Sequence, residues 1–401
     1  MRKKLGLGAG LAGALALTLA ACGSSGSSGS GAASSSKPTG EPIRIMTITA
    51  LSGPSVGNTW IPAATKAAAK AINDAGGVNG RPIEVTVCDD QFDPNKAAAC
   101  ATQAVAGKYL FVTGSSGFGD RFMPILEQAK IPVVGAQPNS ASELKSPYSF
   151  PFTSTLVQIA GGGTACGKQG KTKPASAVLD LAAAKALAGI FALGLKPFDL
   201  TVTKNVTIAP TATDLSTYAA NLSGADCVEV VVGSAQFDRL TQAMRQADNG
   251  AVIAYGSADV SQQTIDSLGS AGDHVVLVAQ QVPVSDTSVP SVKRFHDEAR
   301  AAGVDDRTLT DDSMIAWAAT HYVAELAKSL PSIDGASLAV ALNKAGTINY
   351  DPLPKVDFSK PITMVFPGNR VFNTSVFLSE IRGGKRVPLY GNQQFSVLGS
   401  S

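Results

Sequence analysis

The sequence predicts an α/β chain of two doubly wound lobes, each a parallel sheet with helices on both faces. Three observations lead there. Short β-branched runs alternate with Ala-rich helical runs from Ile43 onward; the alternation pauses at a loop near Ser149–Ser154 and starts again; and 401 residues exceed what one hydrophobic core ordinarily holds.

In the first series, Ile43 to Ile48 reads as a strand and Ile61 to Ala75 as a helix. A strand over Ile83 to Cys88 and a helix over Asn95 to Ala106 follow. Leu110 to Thr113, a helix ending near Ala129, and Ile131 to Gly135 complete the set. The second series opens with a helix over Leu156 to Lys168. It continues with strands at Ala177 to Leu179, Thr201 to Ile208, Cys227 to Val232, Val252 to Tyr255 and Val275 to Ala279. Helices at Ala182 to Leu193, Leu215 to Leu222 and Phe237 to Ala247 fall between these strands. After Val282-Pro283 the chain turns helical, at Val289 to Ala302, Asp311 to Leu330 and Ala336 to Ala345. It ends in Pro/Gly-broken strands and a hairpin, where Val376 to Ile381 returns through Gly383-Gly384 to Lys385-Arg386-Val387.

Ahead of the first strand stand Arg2, Lys3 and Lys4, then an apolar stretch from Leu5 to Ala21 ending Leu19-Ala20-Ala21-Cys22. Basic residues, a short apolar core and small residues in that order make an export signal. The segment resembles a bacterial lipoprotein signal. That resemblance implies cleavage after residue 21 and a lipid on Cys22, which anchors the chain to the outer face of the cytoplasmic membrane. An ordinary cleaved signal and an uncleaved membrane helix are the alternatives. Residues 22–42, rich in Ser and Gly, read as a flexible tether because they cannot bury enough apolar area to order themselves.

With Cys22 assigned to lipid, Cys88, Cys100, Cys166 and Cys227 remain, an even number in an exported, disulfide-permissive chain. The simplest pairing joins Cys88 to Cys100 and Cys166 to Cys227. Neither pair has the short spacing of a metal site. Loss of the three basic signal residues takes 33 Lys and Arg to 30 against 31 Asp and Glu, so the mature chain carries no basic footprint for nucleic acid.

The run Ile45 to Pro54, with its Leu51-Ser52-Gly53-Pro54 loop, leads into a helix ending Ala71-Ile72-Asn73-Asp74-Ala75 and the turn Gly76-Gly77-Val78-Asn79-Gly80-Arg81-Pro82. Together with Cys88-Asp89-Asp90 and with Ile131-Pro132-Val133-Val134 before Ser142-Glu143-Leu144, this resembles the type I periplasmic binding proteins of the branched-chain amino acid group. The resemblance covers residues 43–390 and is strongest in the first third. It implies two lobes joined by three crossovers: lobe one over 43–153 and 283–345, lobe two over 154–282 and 346–401. It also implies capture of a small solute between the lobes, delivery to an ABC permease and its ATPase, a monomer, and no catalysis, cofactor or metal.

Solutes in such sheets sit beyond the carboxyl ends of the strands, where free N–H groups of helix N-termini favour a carboxylate. In lobe one the family's carboxylate loop corresponds to Ser115, Ser116, Gly117 and Phe118, with Phe118 able to cover an apolar part of the solute. Aligned on Ser142-Glu143-Leu144, Ser140 matches a hydroxyl that contacts the amino-acid head group, and Pro138 a carbonyl that accepts from its ammonium; Asn139 lies between them. Ser140 also suits a helix N-cap, and both roles are compatible. Trp60 is an aromatic wall of the site or a core residue. Lobe two departs from the pattern, since Asp180-Leu181-Ala182-Ala183 stands where many relatives carry Tyr-Gly. Gln236 and Phe237 after the third strand of that lobe, and Asp259 near the family's ammonium-binding acid, are its candidates. Asp259 reads equally as a cap or a solvated charge.

Two other classes are weighed against this reading. His274, His296 and His321 are scattered, and Gly114-Ser115-Ser116-Gly117-Phe118 fails the nucleophile elbow at its last position, which argues against a secreted hydrolase. A sensor on the same fold differs from a transport receptor in no sequence feature.

Overall fold

The first strand shows why the first lobe has two faces. In β1 (Ile43–Thr49), Ile43 and Ile45 enter one core while Met46 and Ile48, of opposite parity, enter another. A strand buried on both sides is what a doubly wound parallel sheet requires. The computed structural model describes residues 37–53, 59–138, 140–180, 182–364 and 369–399, without the side chains of Ser115, 182–188 and Asn392. The expected signal, Cys22 and most of the tether lie outside the described residues.

Around β1 the first lobe builds α1 (Trp60–Asp74), β2 (Ile83–Asp89), α2 (Pro94–Ala106), β3 (Phe111–Ser115), α3 (Gly119–Gln128), β4 (Val133–Val134), α4 (Ala141–Lys145) and β5 (Ser149–Phe150). The strands are parallel in the order β2-β1-β3-β4-β5. The strand expected over Ile131 to Gly135 shortens to β4, because Pro132 has no N–H to give the ladder.

The second lobe repeats the plan. α5 (Thr155–Lys168) leads to β6 (Pro174–Leu179), α6 (Ala182–Leu195), β7 (Lys204–Ile208), α7 (Ser216–Asn221), β8 (Cys227–Val231), α8 (Ser234–Gln246), β9 (Val252–Gly256), α9 (Gln262–Leu268) and β10 (Val275–Ala279). Its parallel order, β7-β6-β8-β9-β10, matches that of the first lobe. The bridge Cys88–Cys100 ties β2 to α2, and Cys166–Cys227 ties α5 to β8, as the parity of the cysteines predicts.

The chain then returns to the first lobe with α10 (Pro290–Ala301), α11 (Asp311–Ala327) and α12 (Gly335–Lys344). Met314, Ile315, Trp317 and Ala318 of α11 join Ile43 and Ile45 in one core. The boundary expected after residue 345 falls later. Ile348 of β11 (Thr347–Ile348), Val356 of β12 (Val356–Asp357), Leu353, Phe358 and Phe372 still pack in the first core, since their apolar side chains find cover there. Only β13 (Ser375–Arg382), β14 (Lys385–Pro388) and β15 (Gln394–Ser396) rejoin the second sheet, all in antiparallel pairings. Among the described residues, no helix is long and apolar enough to cross a membrane.

Candidate functional site

Strand order reverses between β1 and β3 in the first lobe and between β6 and β8 in the second, which opens a crevice at the carboxyl ends of the strands. In the first lobe the loops at that crest are tied to one another. Asp89 Oδ1 accepts from the Leu51 N–H at 2.8 Å, and Ser52 Oγ donates to Asp89 Oδ2 at 2.5 Å. Ser116 is 4% exposed and its hydroxyl accepts from the Phe118 N–H at 3.2 Å, which shapes the turn before α3. Gly117 is exposed and Phe118 half-buried; the Ser115 side chain and Asn139 lie outside the described residues.

Ser140 is the N-cap of α4, its Oγ accepting from the Glu143 N–H at 3.2 Å. Asp120 of α3 accepts from the Ser142 N–H at 2.9 Å. Burial raises the Asp120 carboxyl, but that N–H and the Ser142 and Ser140 hydroxyls outweigh it and hold it below the usual range. Gly119 explains how α3 and α4 approach so closely: a Cβ there would lie 2.2 Å from Ser140 Oγ and 2.0 Å from Glu143 Oε2. The two candidate loops of the first lobe therefore form one stitched unit. Pro138 is buried beside it, and Trp60 opens α1 with its indole N–H buried and without a partner among the described residues.

The lobes meet at a polar group that the sequence reading only half anticipates. Asp312, on the first turn of α11, accepts at Oδ1 from Gln137 Nε2 at 3.0 Å, and its own N–H donates to Ala258 O at 3.0 Å. Gln137 Oε1 in turn accepts from the hydroxyl of Thr155, the first residue of α5, at 3.1 Å. Beside Ala258, Asp259 receives a bond from the Tyr255 hydroxyl at 3.4 Å. Burial pushes Asp259 up to about 6, against the bonds it accepts from its own N–H and Tyr255. Asp312 is raised well above the carboxylate range, by burial first and then by the charges of Asp259 and Asp311, which the Gln137 bond only partly offsets. Two carboxyl groups, one from each lobe, thus stand in one poorly solvated place and resist ionising together. Asp259 is no helix cap, since Ser261 fills that role for α9.

The remaining second-lobe candidates serve the lobe itself. Phe237 has no exposed surface to offer a solute; it stacks on Tyr255 at 3.9 Å between ring centres, inside the core. That corrects its expected contact with a ligand, because an apolar ring at the first buried position of α8 follows the core. Gln236 Nε2 donates to Ala209 O and Pro210 O at 3.3 and 3.2 Å, binding α8 to the loop after β7. Asp180 is exposed. Gln137, Thr155 and Asp312 received no role from sequence. The signal for Asp312 was Thr310-Asp311-Asp312-Ser313, two acids in the first turn of an otherwise apolar helix with a capping box.

In the solved LivJ substrate-binding protein of Streptococcus pneumoniae in complex with isoleucine, 98% of the chain superposes on 86% of this one, with a TM-score of 0.72 and 18% identity. A solute binding protein of an ABC transporter from R. palustris, in complex with 4-hydroxybenzoate, gives a TM-score of 0.73 at 19% identity over 89% of this chain and 97% of its own. At such identities the likeness is one of fold. The Leu/Ile/Val-binding protein homolog 1 of Brucella abortus is 41% identical over 54 residues, which span 14% of this chain and 15% of that protein. The family described as periplasmic binding protein matches residues 42–385, most of the chain. The chain therefore belongs to the periplasmic binding protein family, with the fold of its type I members.

Proposed function

We propose that this protein is the solute-binding lipoprotein of an ABC importer. It captures a small carboxylate-bearing solute between its lobes and hands it to a permease driven by an ATPase. The observation that carries this is the polar group assembled from both lobes, Gln137 and Asp312 against Thr155 and Asp259, at the carboxyl ends of two parallel sheets. A group shared between lobes is made or broken by their relative motion, so occupancy and closure are coupled. Ser115, Ser116 and Ser140 would take the carboxylate end, with Asn139 beside them, and the Pro138 carbonyl and Asp259 would face an ammonium or hydroxyl. Bound ligands of proteins with this fold, isoleucine and 4-hydroxybenzoate, are both small carboxylates. A lipid on Cys22 would keep the receptor at the outer face of the cytoplasmic membrane.

The test is a thermal-shift and calorimetric screen of refolded, solute-free protein against amino acids, amides and small aromatic and aliphatic carboxylates, with small-angle scattering on every hit. A hit that compacts the molecule is the expected result. A hit that leaves its dimensions unchanged removes the closing receptor and favours a rigid sensor.

A further inference from the structure

Phe92 is held in a backbone conformation that its side chain disfavours. Gln91 and Phe92 have φ of 52° and 53°, the left-handed region that a bulky residue rarely enters. Two acids fix the turn: Asp89 Oδ1 accepts from the Gln91 N–H and Asp90 Oδ1 from the Phe92 N–H, each at 2.9 Å. Strain of this kind is ordinarily offset by packing. Here it is not, because Phe92 remains 43% exposed.

What the turn achieves is position. It carries the ring across from the loop after β2 to the loop after β3, where it meets Phe118 at 5.1 Å between centres and 59° between planes. Gly117 lies against the Phe92 ring, where a Cβ would stand 3.6 Å away, at ordinary contact distance. Phe118 is the N-cap residue of α3, so a solute carboxylate lying on these rings would stand beside the positive end of that helix's dipole. Strained, exposed residues over-determined by their neighbours are typical of ligand clamps.

We propose that Phe92 and Phe118 form an aromatic lip on the first lobe that selects a carboxylate attached to a flat, apolar ring. The proposal rests on the solute-binding reading and names the class of solute. Aromatic contacts of this geometry hold a third ring edge-on or offset, which an aliphatic side chain exploits less well.

The test measures benzoate and isoleucine binding by calorimetry on wild type, Phe92→Ala and Phe118→Ala, with thermal unfolding of Phe92→Gly alongside. Benzoate should bind wild type more tightly than isoleucine does, and lose about tenfold in affinity with either alanine variant. Phe92→Gly, relieved of its strained φ, should unfold at a higher temperature than wild type while binding benzoate less well. Preference for isoleucine, benzoate affinity indifferent to both alanine variants, or a lower unfolding temperature for Phe92→Gly each overturns the lip and leaves solute binding standing. Failure to bind either probe overturns the lip, while the wider solute screen decides the solute-binding reading.

Discussion

Arg386 Nη1 stands 3.0 Å from Asp311 Oδ2, joining the C-terminal hairpin of the second lobe to the first turn of α11 in the first. The attraction acts through charge and distance and not through an aligned hydrogen bond. Asp311 is fully buried and also accepts from the Val284 N–H at 2.8 Å and the Ser257 hydroxyl at 2.5 Å, so one carboxylate gathers both lobes and a crossover. Nearby, Gln280 fastens the other passages between the lobes. Its Oε1 accepts from the Ser154 N–H at 2.5 Å, and its Nε2 donates to Asn373 O at 3.1 Å.

Removing one partner of such a pair leaves the other buried without compensation. Asp311→Ala should therefore lower stability by about 3–5 kcal/mol, measured by urea unfolding. Asp311→Leu combined with Arg386→Met should recover much of that loss. A single variant within about 1 kcal/mol of wild type would show that water reaches the pair.

Asp259 should make stability fall as pH rises. Its carboxyl titrates near 3.8 when unfolded and about 6 when folded, so the folded state holds the extra proton between those values. Unfolding free energy then declines across that window and is level above it. Thermal melts of Asp259→Asn should lack this component when subtracted from wild type. Carboxyl NMR should also show Asp312 titrating lower in that variant, because a neighbouring charge has been removed.

Glu229, 1% exposed on β8, is raised well above its ordinary value by burial alone. Gly162 of α5 makes room for it, since a Cβ there would lie 1.7 Å from Glu229 Oε2. Ionisation therefore costs stability as pH climbs above the unfolded value of 4.5. Glu229→Gln should gain on wild type with rising pH and show no such gain near pH 4, by chemical denaturation at several pH values. Gly162→Ala should cost about 1–3 kcal/mol through overpacking.

Ser140→Ala should act twice. Losing the α4 cap should cost about 1 kcal/mol of stability in the empty protein. On the proposed reading of the site, losing this hydroxyl should also weaken binding of a cognate solute by roughly tenfold or more. A loss of stability with affinity intact would confine Ser140 to capping.

Cys22→Ser should release the protein from the membrane or leave its signal uncleaved. Intact mass of the membrane-extracted wild type should show residues 1–21 missing and a lipid adduct present. A water-soluble chain cleaved elsewhere would rule out the anchor.

The sequence by itself determined the layered plan. Ile43 to Ile48 reads as a strand, its alternation with Ala-rich helical runs as β-α units, and the restart after Ser154 as a second lobe, because such patterns are local and survive without neighbours. The even count of the four remaining cysteines pointed to two bridges in the simplest pairing, and both are present, one of them across 61 positions. Tertiary structure alone decided what depends on residues far apart in the chain. Gln137 meets Asp312 across 175 positions, and half-buried Asp259 is set beside Asp312, whose carboxyl its charge raises, only by the fold. It also sent Phe237 to the core and brought Phe92 to Phe118, since burial and ring contact are set by neighbours that no local pattern names.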